Sequence, residues 1–134
     1  MEKQNRDKSE KGLIRLMSFG FKYGLPEANY YFDVSFAKNP AREKQWSLFA
    51  VEDEEMTEYV LSQQQVSEFI DLVIPLIYYV VELDGFQSVA FGCNSGRHRS
   101  PIIVNEIARR ISKDIRHIVF HRDQPDYEKY VTGS

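Results

Sequence analysis

Apolar and polar positions change period several times along the chain, and each change predicts an element. Leu13 to Phe21 predicts a short strand running into a loop marked by Gly20, Gly24 and Pro26. Tyr30 to Phe36, rich in aromatic and β-branched residues, predicts a second strand, closed by a turn at Asn39-Pro40. Asp53 to Leu61 predicts a short helix, and Ser62-Gln63-Gln64-Gln65 fits a capping box for a longer one. Val66, Phe69, Ile70, Val73, Ile74, Ile77, Val80 and Val81 then recur at the spacing of one core-facing helical stripe. Pro75 inside that stripe predicts a kink, and Asp84-Gly85 its end. Phe86 to Phe91 predicts a strand, and Ile103, Val104, Ile107, Ala108 and Ile111 mark a helix over 101–112. Ile115 to Phe120 predicts the last strand. The order β–β–α–α–β–α–β, with no internal repeat, predicts an α/β fold: a small, mostly parallel sheet flanked by helices. Trp46 and Phe49, in the least patterned stretch, are expected to pack a loop on the core.

Composition narrows the class. A chain of 134 residues that is 43% hydrophobic has the material for one domain with a real core. Residues 1–11 are charged and aperiodic, which predicts a disordered arm before a domain over 12–123 and a polar tail over 124–134. A net charge of −3 argues against nucleic-acid binding over the whole surface, but not against a local basic patch. Cys93 is the single cysteine, so no internal disulfide forms. The start of the chain has no signal-peptide pattern, which predicts a cytoplasmic setting. The apolar run from Leu72 to Val81 is too short to span a bilayer, so no membrane partner is expected.

The candidate chemistry lies in Gly92-Cys93-Asn94-Ser95-Gly96-Arg97-His98-Arg99-Ser100-Pro101, between a strand and a helix. Ser100 is the expected N-cap, with Pro101 first in the helix. Free amides of a first helical turn, the helix dipole and basic side chains together favour an anion, above all phosphate. The expected ligand-binding residues are Cys93, Asn94, Ser95, Gly96, Arg97, His98, Arg99 and Ser100. Lys22 and Tyr23, Asn39, and His121 and Arg122 join them. Each of these groups follows a predicted strand, and in open α/β sheets ligands bind beyond the carboxyl ends of the strands. Cys93 to Arg99 also fits the C-x-x-G-x-x-R loop of cysteine-dependent phosphatases, in which Cys93 is the nucleophile and Arg99 holds the phosphate. No ligand spacing supports a metal at His98, His121 and Asp123, and no cofactor is expected.

The chain resembles a known family through a set of short motifs in fixed order: Ser18-Phe19-Gly20-Phe21-Lys22-Tyr23-Gly24-Leu25-Pro26, Phe32-Asp33-Val34, Asn39-Pro40, Gly92 to Ser100, and His121-Arg122. This order resembles the C-terminal domain of the RapZ family of RNase adapters, over roughly residues 13–123. The resemblance implies a fold similar to a subdomain of phosphofructokinase and a pocket for a phosphorylated amino sugar such as glucosamine-6-phosphate. It also implies self-association into homo-oligomers and binding of small regulatory RNA. The family's loop positions carry over to Cys93, Asn94, Ser95, Gly96, His98 and Arg99, and its first-loop lysine to Lys22. The family's P-loop half has no counterpart in this sequence. Ser35 stands where the family has arginine after Phe-Asp-Val, and Ala41 where it has histidine or an aromatic residue after Asn-Pro. Asp123 to Glu128 replaces the basic run that follows His-Arg in RNA-binding members.

The leading expectation is a non-enzymatic sensor or adapter for a small phosphorylated metabolite of the phospho-sugar or nucleotide class. An RNA-binding adapter for a ribonuclease and a cysteine phosphatase are the alternatives.

Overall fold

The computed structural model describes residues 13–46, 50–83 and 85–124. The expected N-terminal arm, Phe49, and the tail beyond Gln124 lie outside the described residues. Four strands, β1 (Ile14–Gly20), β2 (Tyr30–Asp33), β3 (Gln87–Cys93) and β4 (His117–His121), form one sheet in the order β2-β3-β1-β4. Every pairing is parallel. The helices are α1 (Glu54–Leu61), α2 (Gln64–Val80) and α3 (Arg99–Ile111). The element order read from the sequence is the order observed, and the fold is α/β as expected.

The two helical connections, β2 to β3 and β3 past β1 to β4, move the chain the same way across the sheet. Right-handed crossovers therefore put all three helices on one face. On that face Ile14 and Leu16 of β1 and Val89 and Phe91 of β3 share one core with Val60, Val66, Ile70, Val73, Ile77, Ile103, Ile107 and Ile111. Burying one such side chain stabilises the fold by about 1.5–3 kcal/mol. The helical stripe of α2 is the one the sequence predicts, with Val66, Ile70, Val73, Ile77 and Val80 buried. The connection from β1 to β2 moves the other way, and its Ala28 packs on Met17, Phe19 and Ala90 of the opposite face. No helix among the described residues is long and apolar enough to cross a membrane.

Several boundaries differ from the expectation, each for a local reason. β2 stops at Asp33 because the Asp33 carboxylate accepts from Ser35 N and Ala37 N donates to Val34 O, which turns the chain. Ser62 does not open a capping box; it is the C-cap of α1, with a helical backbone. Gln63 stands at the N-cap of α2, but its Oε1 accepts from Lys38 N and its Nε2 donates to Tyr59 O. α2 runs unbroken through Pro75. β3 continues to Cys93, which pairs with Gly20 of β1. Ser100 is not the N-cap of α3: the helix starts at Arg99 with His98 at the cap and no side-chain capping bond. The Ser100 hydroxyl instead lies 3.3 Å from Cys93 Sγ and 3.4 Å from Phe19 O.

Candidate functional site

An all-parallel sheet brings all four strand ends to one edge. The segments following β1, β2, β3 and β4 therefore lie there together, as the sequence suggested. The loop after β3 is pressed onto the end of β1. Gly96 has φ +73°, and a Cβ on it would lie 2.6 Å from Gly20 N and 2.7 Å from Phe19 C. A Cβ on Gly20 would lie 2.4 Å from Ser95 C. Two backbones touch here, so glycine is needed on both sides. The space the sequence reading left for a ligand at Gly96 is thus filled by the chain itself.

Arg99, the first residue of α3, points the other way, toward the segment after β2. It is only 9% exposed. Its Nη1 donates to Ser35 O (2.9 Å) and Ala37 O (3.0 Å). A guanidinium has five N–H donors, so two carbonyls do not exhaust it. Nε and Nη2 have no partner among the described residues, nor does the side chain meet a carboxylate there. Among the described residues no fully buried side-chain nitrogen or oxygen lacks a hydrogen bond, so these nitrogens open to solvent. They do so at a cavity of about 450 Å³ lined by Ser35, Ala37, Lys38, Asn39, Arg42, Glu43, Tyr59, Asn94 and Arg99. A nearly buried cation with no counter-charge is unfavourable unless an anion completes it.

Of the expected site residues, Asn39, Asn94 and Arg99 share this cavity. Asn39 Oδ1 accepts from Ala41 N and caps the 3-10 turn Pro40–Arg42. Lys22 and Tyr23 border the site through the main chain: Lys22 N donates to Asn94 O at 3.2 Å. Both side chains are exposed, with the Lys22 ammonium 5.2 Å from the centre of the Tyr23 ring. Cys93, 2% exposed, belongs to the helix-side core and does not line the cavity. Ser95 and Gly96 abut the end of β1. Arg97 presents its carbonyl to Gln124 Nε2 at 3.2 Å.

The two histidines are structural in their contacts. His98 Nε2 lies 2.9 Å from Ala50 O, a carbonyl, so this nitrogen donates. Burial pushes its pKa below the ordinary value, the Ala50 bond opposes that, and Arg97 and Arg99 push further down. His121 is held at both ring nitrogens, by Ser18 Oγ at 2.7 Å and Asn105 Oδ1 at 2.9 Å, and burial lowers its pKa too. Both imidazoles are therefore neutral at pH 7. Arg122 is spent as well. It pairs with Asp123 at 2.9 Å, donates to Gly24 O at 2.7 Å, and stands 5.7 Å from the centre of the Phe19 ring. Asp123 in turn accepts from Gly20 N at 2.7 Å. The pair expected to supply extra positive charge fastens the first loop instead.

The sequence reading missed the wall formed by Ser35, Ala37, Lys38, Arg42, Glu43 and Tyr59. Its signal was slight: two cations flanking Asn39-Pro40 just after a strand. A larger cavity, about 1000 Å³, lies beside this wall and shares Tyr59 with it. Its rim carries Glu52, Asp53, Glu54, Glu55 and Glu58, which repel phosphate. Burial raises the Glu52 pKa to about 7. Size favours that cavity, but charge favours the smaller one for an anion.

Comparison with known proteins agrees with these motifs. The model of the RapZ C-terminal domain matches residues 13–125. A nucleotide-binding protein of Dictyoglomus thermophilum is 38% identical over 117 residues, covering 83% of this chain and 40% of the relative. One from Acidobacterium capsulatum is 38% identical over 120 residues, covering 84% and 39%. One from Caldanaerobacter subterraneus is 39% identical over 126 residues, covering 88% and 44%. The chain thus spans about two-fifths of the length of these curated relatives. With the family model matching from β1 to just past β4, the chain belongs to the RapZ C-terminal domain family.

Proposed function

We propose that this domain is a non-enzymatic sensor module that binds a small phosphorylated metabolite in the Arg99 cavity. The observation that carries the reading is the Arg99 guanidinium, nearly buried and without a carboxylate partner among the described residues. A phosphate oxygen pair matches its planar fork, and each charge-assisted bond contributes about 1.5–3 kcal/mol. Asn94 and Asn39 add side-chain donors on the same cavity. The relatives' name, nucleotide-binding protein, fits this ligand class. In a cytoplasmic setting, occupancy of the cavity would be read by a partner.

Thermal melting against phosphorylated sugars, nucleotides, phosphate and sulfate tests the reading. A ligand that binds only the folded state raises stability by RT ln(1 + [L]/Kd), about 2.7 kcal/mol at a hundred times Kd. The expected result is a shift with one phosphorylated class that disappears in Arg99→Ala. A shift that survives in Arg99→Ala, or no shift with any compound, overturns it.

A further inference from the structure

We infer that the ligand carries two anionic groups, the second one held by Lys38 and Arg42, so that the cavity takes a diphosphate or a sugar bisphosphate in preference to a monophosphate. This inference rests on the phosphate reading of the Arg99 cavity and adds the ligand class.

The main chain of residues 34–43 is fastened almost residue by residue. Val34 N donates to Gly92 O, and Ala37 N to Val34 O. Ser35 O and Ala37 O accept from Arg99, and Lys38 N donates to Gln63 Oε1. Ala41 N donates to Asn39 Oδ1, Arg42 N to Asn39 O, and Glu43 N to Pro40 O. A loop so fixed presents its side chains from a rigid frame, which lowers the ordering entropy that binding must overcome. Yet the two cationic side chains on it, Lys38 and Arg42, are exposed and meet no partner among the described residues. Both line the same cavity as Arg99.

The cavity is therefore graded. Arg99 forms a nearly buried floor, and Asn94, Lys38 and Arg42 form an exposed rim. Glu43 is the one carboxylate among the described lining residues. At about 450 Å³ the space is that of a small-metabolite pocket, larger than one phosphate group needs. A phosphate seated on the Arg99 floor leaves the rim cations facing whatever the ligand carries outward. Two cations against the single Glu43 carboxylate leave the rim net positive, which favours a second anion. Ser35 and Ala41 bear no charge of their own to change that sign.

The test compares binding of inorganic phosphate, glucose 6-phosphate, pyrophosphate and fructose 1,6-bisphosphate to the full chain at fixed ionic strength. Pyrophosphate and fructose 1,6-bisphosphate distinguish adjacent from separated anionic groups. At least one of them is expected to bind about ten-fold tighter than either monophosphate. That advantage should vanish in the Lys38→Ala/Arg42→Ala double variant, whose affinities for the four probes should fall within about three-fold of one another. Both residues are exposed, and Lys44→Ala, which removes a cation outside the cavity, should leave the advantage in place. Equal affinity for all four probes, or an advantage that survives the double variant, overturns the inference. Phosphate bound through Arg99 without a two-anion preference would overturn this inference alone; binding of no probe would overturn the cavity reading with it.

Discussion

Arg99, at the start of α3, and Arg122, just after β4, stand at the same edge of the same sheet, and they have opposite fates. Arg122 has a carboxylate beside it, two backbone carbonyls and an aromatic ring. Its charge is consumed in tying the β1 loop to the β4 end. Arg99 has two carbonyls and no carboxylate among the described residues, and it opens on a cavity. A cation becomes a binding group when the fold fixes its position but withholds its counter-ion. Residue type alone does not show which of the two has happened.

The sharpest way to break the comparison is to disturb the contact that both loops depend on. Gly96→Ala puts a Cβ 2.6 Å from Gly20 N and 3.1 Å from Asp123 Cβ, at a φ of +73°. The expected loss is about 3 kcal/mol or more, read as the urea midpoint. A wild-type midpoint would mean that the loops are not packed as described. Next in size is Arg122→Ala. It should lower stability by about 1–3 kcal/mol, because Asp123 is left partly buried without its cation. Phosphate affinity of the folded protein should stay within about two-fold; a large loss would move the anion site to the β4 end. Arg99→Ala should show the reverse pattern. Its ligand affinity should fall about ten-fold or more, with a smaller change in stability, since a buried unpaired charge is removed along with its two carbonyl bonds.

The smallest effects are those of pH. The folded pKa values of His98 and His121 lie below the ordinary 6.5. The stability linked to them is in place above 6.5 and is lost as pH falls from there through the lower folded values. Glu52 runs the other way: raised from 4.5 to about 7, it favours the fold below 4.5 and loses that contribution as pH rises through about 7. Melting of Glu52→Gln should therefore gain on wild type at about pH 8 and match it at about pH 4.5. A gain at both would show that ionisation is not the cause. Sulfate, which does not titrate, should bind with constant affinity from about pH 7 to about pH 8.5, because neither histidine supplies charge.

The fold was legible because its signals are local. The α2 stripe, the β3–loop–α3 unit and the Asp53 cap, which accepts from Met56 N, are all written within a turn or two of sequence. The site was legible where a side chain and its setting share one motif, as Arg99 does with its loop. It was not legible where tertiary contacts reassign a residue. His121 reads as a cation until Ser18 and Asn105 hold both of its nitrogens. Ser100 reads as a cap until Cys93 and Phe19 take its hydroxyl. Lys38 comes to the cavity from the segment after β2, Arg42 from a 3-10 turn and Tyr59 from α1, and no periodicity links them.

Calorimetric titration of inorganic phosphate into wild type, Arg99→Ala and Arg122→Ala at one ionic strength tests the central claim most directly. The account predicts saturable binding to wild type and Arg122→Ala, and binding weakened about ten-fold or more in Arg99→Ala. Equal binding to all three, or loss in Arg122→Ala alone, would contradict it.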